Sequence, residues 1–352
     1  VQFDLSSLKD LLRELSALHA PTGREEAVAD YLAKKFEKNG FKVERDVLGN
    51  VIARKGKGKK VLVAAHMDEV GLSVVGITDT GLLRFAKIGG LYDGSLGTKL
   101  VRVHSQKKAI PGVIGIKSPH LMKEEEIKSL QKSEDLFIDV GAETKKEAAD
   151  MGIRPGTRVT FEATFEELAN DKVAGKAFDN RAGCAILVKL AEEAAHPGCE
   201  LCLVGTVREE TGLWGAGASV FGIQPDLAVA VDVSLAAGTP DVLVERVPVL
   251  LGGGPSIGVI EAGGRGLIMD EKLVDWIEKL AKRNGIKYQL EVSEGGCTDA
   301  SRMQYSRTGF LAASIGVPAR YIHSTCEVLS LKDLHETTRL FKVLLANFKE
   351  YK

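Results

Sequence analysis

The chain has 352 residues, 44% apolar and 27% charged, with 47 basic and 48 acidic side chains that leave a formal net charge of −1. This size supports a large core and more than one domain, and the composition is globular rather than disordered or fibrous. Near-neutrality argues against nucleic-acid or anionic-membrane partners; with no run near the roughly 18 apolar residues of a membrane span and no secretory pattern in VQFDLSSLKD, a cytoplasmic location is expected.

The first 40 residues predict two helices. Leu8, Leu11, Leu12, Leu15 and Leu18 recur at helical spacing behind Ser6 and Ser7. Thr22-Gly-Arg-Glu25 reads as a capping box opening a second helix that stops at Asn39-Gly40. FKVERDV and NVIARK read as strands, KGKGKK (55–60) as a solvated hairpin loop, and VLVAAH (61–66) as a buried strand. From 72 to 165, short β-rich pieces alternate with Gly, Pro, Asp and charged turns, which predicts a small all-β barrel or sandwich. Beyond 166 the pattern alternates: helices over 179–195, 212–221, 270–284 and 331–349, strands over 199–208, 226–233, 286–292 and 310–316. The expected fold class is therefore α/β: a mixed sheet covered by helices on both faces, built from 1–71 with 166–352, into which 72–165 is inserted as a small all-β barrel domain.

Five cysteines at irregular spacing do not form a disulfide framework. Cys199 and Cys202 lie three apart in a strand-like run, so they face opposite sides of the sheet and read as inert thiols.

In open α/β sheets ligands gather beyond the carboxyl ends of the strands. His66 and Asp68 follow VLVAA, Glu209 and Glu210 follow CLVGTV, and Asp232 closes LAVAV. Asp179 stands at a helix start in KAFDNRAGC, and His323 follows a strand and a turn in RYIHST. Taken singly, each has a duller explanation: Asp179 can cap a helix and Glu209-Glu210 can be a solvated strand end. His19, His104, His120, His196 and His335 have no comparable setting and read as surface or satisfied core histidines. Together, two histidines and several carboxylates are the donors a pair of divalent ions needs, including one carboxylate to bridge them. Asp68 is placed to fix the tautomer of His66, and Glu209 is available as a base beside a ligand.

The motif order, H-x-D after a strand, then F-D-N-R, R-E-E-T-G, V-D-V-S and Y-I-H-S-T, resembles the tetrahedral aminopeptidases, a family of co-catalytic dinuclear metallo-aminopeptidases. Glutamyl and deblocking enzymes belong to it, and some members carry an endoglucanase label. The likeness spans nearly the whole chain. It implies a zinc-peptidase-like fold with two divalent metal ions per subunit, zinc favoured over cobalt or manganese. The likeness, not the spacing, distributes the ligands: His66, Asp179 and Asp232 on one ion, Asp179, Glu210 and His323 on the other. It also implies Glu209 as general base, Asp68 as the residue that orients His66, and hydrolysis of the first peptide bond of short peptides with a free amino terminus by a metal-bridging water. The insertion would be a PDZ-like dimerisation barrel, with dimers building a hollow tetrahedral dodecamer. A dinuclear carboxypeptidase or deacylase stays open, because the same chemistry cleaves related amides. A non-catalytic assembly protein with a structural metal site is disfavoured, because such sites are closed and often thiolate-rich. LGGGPSIG (251–258) and GGCTDA (295–300) are candidate pocket elements.

Overall fold

The computed structural model describes residues 5–193 and 198–351. Two amphipathic helices lead, α1 (Leu5–Ser16) and α2 (Glu26–Lys38), and bury Leu8, Leu12, Leu15, Leu32 and Phe36. The expected capping box is not formed: Glu25 precedes α2 without a side-chain cap, because Thr22 turns its hydroxyl to Asp68 and Glu25 Oε1 accepts the N–H groups of Gly23 and Arg208.

Three strands follow, β1 (Lys42–Arg45), β2 (Val51–Lys55) and β3 (Lys60–His66). Six more close an antiparallel barrel: β4 (Gly71–Ile77), β5 (Leu83–Ile88), β6 (Leu100–His104), β7 (Ala109–Gly115), β8 (Phe137–Asp139) and β9 (Arg158–Phe161). Two short helices, α3 (Glu124–Lys128) and α4 (Lys145–Asp150), decorate it. The chain then re-enters the main sheet as β10 (Phe165–Leu168) and β11 (Lys172–Gly175), and continues through α5 (Phe178–Glu193), β12 (Glu200–Thr206), α6 (Trp214–Ile223) and β13 (Leu227–Leu235). The remaining elements are β14 (Ser256–Ile260), α7 (Glu271–Arg283), β15 (Gln289–Val292), α8 (Asp299–Gln304), β16 (Ala312–Arg320), β17 (Glu327–Ser330) and α9 (Leu331–Asn347).

The main sheet has the order β1-β2-β12-β3-β13-β16-β17-β11-β10, with β14 paired to β16 and β15 to β14. Its centre, β12-β3-β13-β16, is parallel and its flanks are antiparallel, except that β15 joins β14 in parallel. Central strands buried on both faces read as the near-continuous apolar runs VLVAA and LAVAV. The KGKGKK stretch is not a hairpin loop, because β12 lies between β2 and β3; its composition signals a chain reversal, but not whether the reversed strand pairs with its predecessor.

Helices α1, α2 and α9 pack with α5 over β3 and β13, and α6 and α8 form a second group over the central strands. One apolar core joins these helices to the sheet, and a second, confined to Val70–Phe161, fills the barrel. Between the two, buried Glu69 pairs with Lys176 at 2.7 Å and Arg181 at 3.3 Å, and His19 and His104 both bond the Thr160 hydroxyl. Cys199 and Cys202 are free and buried, and burial pushes both thiols up to about 11. The expected end of helix 179–195, and His196, lie outside the described residues. No helix among the described residues is long and apolar enough to cross a membrane.

The position of the site follows from one feature of the sheet. β13 pairs with β3 only as far as Ala230↔Ala64, yet stays paired with β16 through Leu235↔Ala319, while the last residue of β3, His66, pairs with Thr206 of β12. The sheet therefore splits between β3 and β13, and a crevice opens where His66 and Asp232 face each other. Asp232 is not the end of its strand, as the sequence suggests; β13 runs three residues past it.

Candidate metal centre

Asp179 lies at the centre of the crevice, held out of helical geometry at the start of α5 (φ −76°, ψ 103°) across a cis bond to Asn180. Asn180 Oδ1 accepts the Gly183 N–H at 2.8 Å, and its amide donates to Val231 O at 2.8 Å, which ties the helix start to β13 next to Asp232. The two carboxylate oxygens of Asp179 point in different directions: Oδ1 is 2.9 Å from His66 Nε2 and Oδ2 is 3.4 Å from His323 Nε2. His66 Nε2 is also 3.6 Å from Asp232 and 3.8 Å from Glu209, and His323 Nε2 is 3.2 Å from Glu210. All seven residues singled out in the sequence thus meet in one place.

The donors suit divalent ions. Ligand atoms at roughly 2.0–2.1 Å from a tetrahedral ion lie about 3.3 Å from each other, which the 2.9–3.6 Å separations bracket. His66, Asp179 and Glu210 form one potential cluster, and His66, Glu209 and Asp232 another. By distance alone Glu209 is thus a donor as well as a base. Buried Glu210 Oε1 has no hydrogen-bond partner, an orphan that a cation would satisfy.

The electrostatics agree. Burial, reinforced by Asp232, Glu210 and Asp299, holds Glu209 well above the usual carboxylate range despite His66 nearby. Burial and Asp179 push Glu210 up to about 7 against the pull of His323. Burial opposes charge on His323, but its bonds to Asp179 and Glu210 carry it up to about 12. Burial likewise opposes charge on His66, which Glu209, Asp232 and Asp179 raise well above 6.5. This crowd of desolvated carboxylates is what dications neutralise.

Surrounding groups fix the donors. The ring Nδ1 of His323 lies 3.1 Å from Gly90 O, on a loop of the barrel, and that of His66 lies 3.2 Å from Asp68 O, so both Nε2 atoms face the crevice, where a neutral ring would present its lone pair to a cation. The Asp68 carboxylate is 3.5 Å from His66 Nδ1, but it makes closer bonds to the backbone N–H groups of Glu209 (3.0 Å) and Glu210 (3.3 Å) and to the Thr22 hydroxyl (2.8 Å). Glu25 accepts the Arg208 N–H at 3.2 Å, so the residues that read as a capping box instead support the loop carrying both glutamates.

The sequence reading missed Glu327, whose carboxylate accepts the N–H groups of Asp179 (2.8 Å) and His323 (3.1 Å). An acid four residues beyond His323 in HSTCE was the available signal. It missed Asp299 as well, a buried acid pushed up to about 7 by burial, whose Oδ2 accepts the Thr206 hydroxyl at 2.5 Å while Oδ1 has no partner.

A cavity of about 480 Å³ opens from these donors toward Gly258 and Gly295–Thr298. Only the last residue of LGGGPSIG reaches it, whereas the loop of GGCTDA lines one wall.

The sequence profile of the M42 glutamyl aminopeptidase family matches residues 49–340. Lysyl aminopeptidase of Pyrococcus furiosus is 35% identical over 87% of each chain. Among solved structures, aminopeptidase APDkam598 of Desulfurococcus kamchatkensis superposes with a TM-score of 0.93 at 37% identity, covering 97% of this chain and 95% of that one. The TET1 peptidase of Pyrococcus horikoshii, which can assemble into a tetrahedron or a large octahedral shell, gives 0.86 at 32% identity over 96% of this chain and 99% of its own.

Proposed function

The chain belongs to the M42 glutamyl aminopeptidase family, and from that premise we propose that it is a metal-dependent aminopeptidase that removes the first residue of short peptides at the crevice between β3 and β13. The observation that carries this reading is the two-sided Asp179 carboxylate, with His66 and Asp232 toward one oxygen and His323 and Glu210 toward the other. His66, Asp179 and Asp232 would hold one ion, and Asp179, Glu210 and His323 its neighbour. Zinc suits this mixture of imidazole and carboxylate, with cobalt or manganese as alternatives.

When bound, the ions would supply Lewis-acid polarisation of the scissile carbonyl and would acidify a water held beside it. Glu209 would accept a proton on its carboxylate and pass it to the leaving amine. Burial holds its carboxyl above the usual carboxylate range, the direction that favours proton return by a group that must both accept and release a proton. Asp68 keeps the Glu209–Glu210 backbone fixed during that exchange and holds the ring of His66. The barrel adds Gly90 behind His323 and is the proposed dimerisation element, with dimers joining into a tetrahedral dodecamer. A cytoplasmic setting accords with five free cysteines.

The test compares Glu209→Gln with the parent after loading both with zinc. The variant is expected to keep its metal content and to lose roughly 10²–10⁴-fold in kcat. Chelation should leave a folded, inactive protein that added metal restores. Parent-rate cleavage by a metal-loaded Glu209→Gln protein removes Glu209 from the base role, and full activity after complete chelation removes the metal.

A further inference from the structure

Two carboxylates in the cavity are not needed by the metal centre. Glu291 on β15 pairs in register with Gly258 of β14 and lines the cavity near Ser234 and Ser256, whose hydroxyls bond each other at 2.5 Å. Glu261 follows β14 and accepts from the Thr298 N–H, the Thr298 hydroxyl and the Ser301 hydroxyl at 2.6–3.0 Å. Its carboxylate hangs over Gly258, where an added Cβ would lie 3.7 Å from Glu261 Oε1 and 3.2 Å from Ser314 Cβ. The cavity floor is thus made of glycine and serine, leaving the volume to an incoming side chain.

The distance from the chemistry is set by β13. Ser234 lies two residues beyond Asp232 on the same face of the strand, a rise of ~6–7 Å, so Glu291 sits about one extended side chain away from the metal donors. No lysine or arginine lines the cavity, and neither Glu261 nor Glu291 has a salt bridge among the described residues. Glu261 is buried and Glu291 partly buried, and acids withdrawn from water without a fixed counter-charge favour a ligand that brings one.

Resting on the aminopeptidase reading above, we infer that this cavity receives the cationic side chain of an amino-terminal lysine or arginine, with Glu291 as the residue that selects it. A long aliphatic stem crosses the Gly258–Ser314 floor, and its charged end meets Glu291, with Glu261 adding to the negative field. The same two carboxylates repel an amino-terminal glutamate, although the family is named for glutamyl activity. Burial, with Glu261 and Asp232 nearby, raises the Glu291 carboxyl against the pull of its two serines, and an arriving cation relieves that like-charge crowding.

The test is a panel of lysyl, arginyl, leucyl and glutamyl p-nitroanilides with the zinc-loaded protein and with Glu291→Gln, which keeps the size of the side chain and removes its charge. The parent is expected to favour the two cationic substrates over the leucyl one by about tenfold or more and to process the glutamyl one worst. Glu291→Gln should lose roughly 30-fold or more in kcat/KM on the cationic pair while changing the leucyl substrate less than about threefold. Calorimetry of lysinamide against norleucinamide gives a readout independent of turnover: tighter lysinamide binding by the parent alone is expected. Equal loss on all four substrates would assign Glu291 to the α-ammonium or to scaffolding and overturn the inference. So would a parent that prefers leucyl or glutamyl substrates, a result that needs no variant to fold. Failure to turn over any aminoacyl substrate counts against the aminopeptidase reading, and equal binding of the two amides counts against the pocket assignment alone.

Discussion

Glu327 bonds to no side-chain donor atom of a proposed metal ligand, yet its carboxylate holds two of those ligands by accepting their backbone N–H groups. Truncating it to alanine leaves the buried N–H of Asp179 and the partly buried N–H of His323 without acceptors, at a cost of ~1–3 kcal/mol for the buried group and less for the other. Glu327→Ala is therefore expected to weaken metal binding at least tenfold by calorimetric titration and to lower thermal stability, and Glu327→Gln to recover part of both. Unchanged metal affinity in the alanine variant would mean that the ligands are held by their own contacts with one another. Asp68 has the equivalent place on the other side of the crevice, under Glu209 and Glu210. Each half of the centre thus rests on one buried carboxylate. Only Asp68 was visible in the sequence as part of a motif, because it shares a strand end with His66. Glu327 bonds to a residue 148 positions away, and nothing local in HSTCE announces that distance.

At the level of elements, the crevice depends on how closely α5 approaches the sheet. A Cβ on Gly183 would lie 2.3 Å from Asn180 Oδ1, 2.8 Å from Val231 O and 2.9 Å from Ala65 Cβ, so the helix start cannot accept one without moving. Gly183→Ala is expected to cost ~1–3 kcal/mol through overpacking and to reduce metal content, since Asp179 and Asp232 flank the displaced contact. Gly222→Ala on α6, where nothing lies within 4 Å, should be neutral or stabilise by up to ~1 kcal/mol. Equal melting temperatures and zinc stoichiometry for the two variants would contradict this account of the crevice. The sequence carried the central strands and the long helices well, because burial on both faces and helical spacing leave strong local patterns. It did not reveal β10, β11, β14, β17 or α8, each only four to six residues long. Nor could it reveal that β3 and β13 part company, since strand pairing is a long-range property. Thr22 and Glu25 show the opposite failure: a pattern that fits helix capping was present, and tertiary partners claimed both side chains.

For the whole molecule, the barrel's surface differs from what its own core requires. Leu100, Ile127 and Leu121 are 60%, 60% and 71% exposed, and Val75, Val113, Ile116 and Leu130 are also exposed, although the barrel interior is already filled by a separate apolar cluster. Side chains of this kind, concentrated on one part of a chain, mark a contact surface more often than chance exposure. A twofold contact through the barrel would be self-complementary, and closing dimers into a shell requires a second, different contact elsewhere. Leu121 and Ile127 lie on the segment joining β7 to β8, outside the barrel core and on no donor to the metal centre. If the barrel carries the proposed twofold contact, changing both to aspartate is therefore expected to lower the sedimenting mass to that of the species held by the second contact alone, without removing bound metal from the crevice. Per-site turnover of a small aminoacyl anilide should persist at a measurable level, because the proposed ligands and the proposed base Glu209 all come from one chain. An unchanged sedimentation profile would move the self-association surface off the barrel. Loss of zinc together with loss of mass would show that contact between chains also holds the loop bearing Gly90 against His323, and that the site is complete only in the assembly.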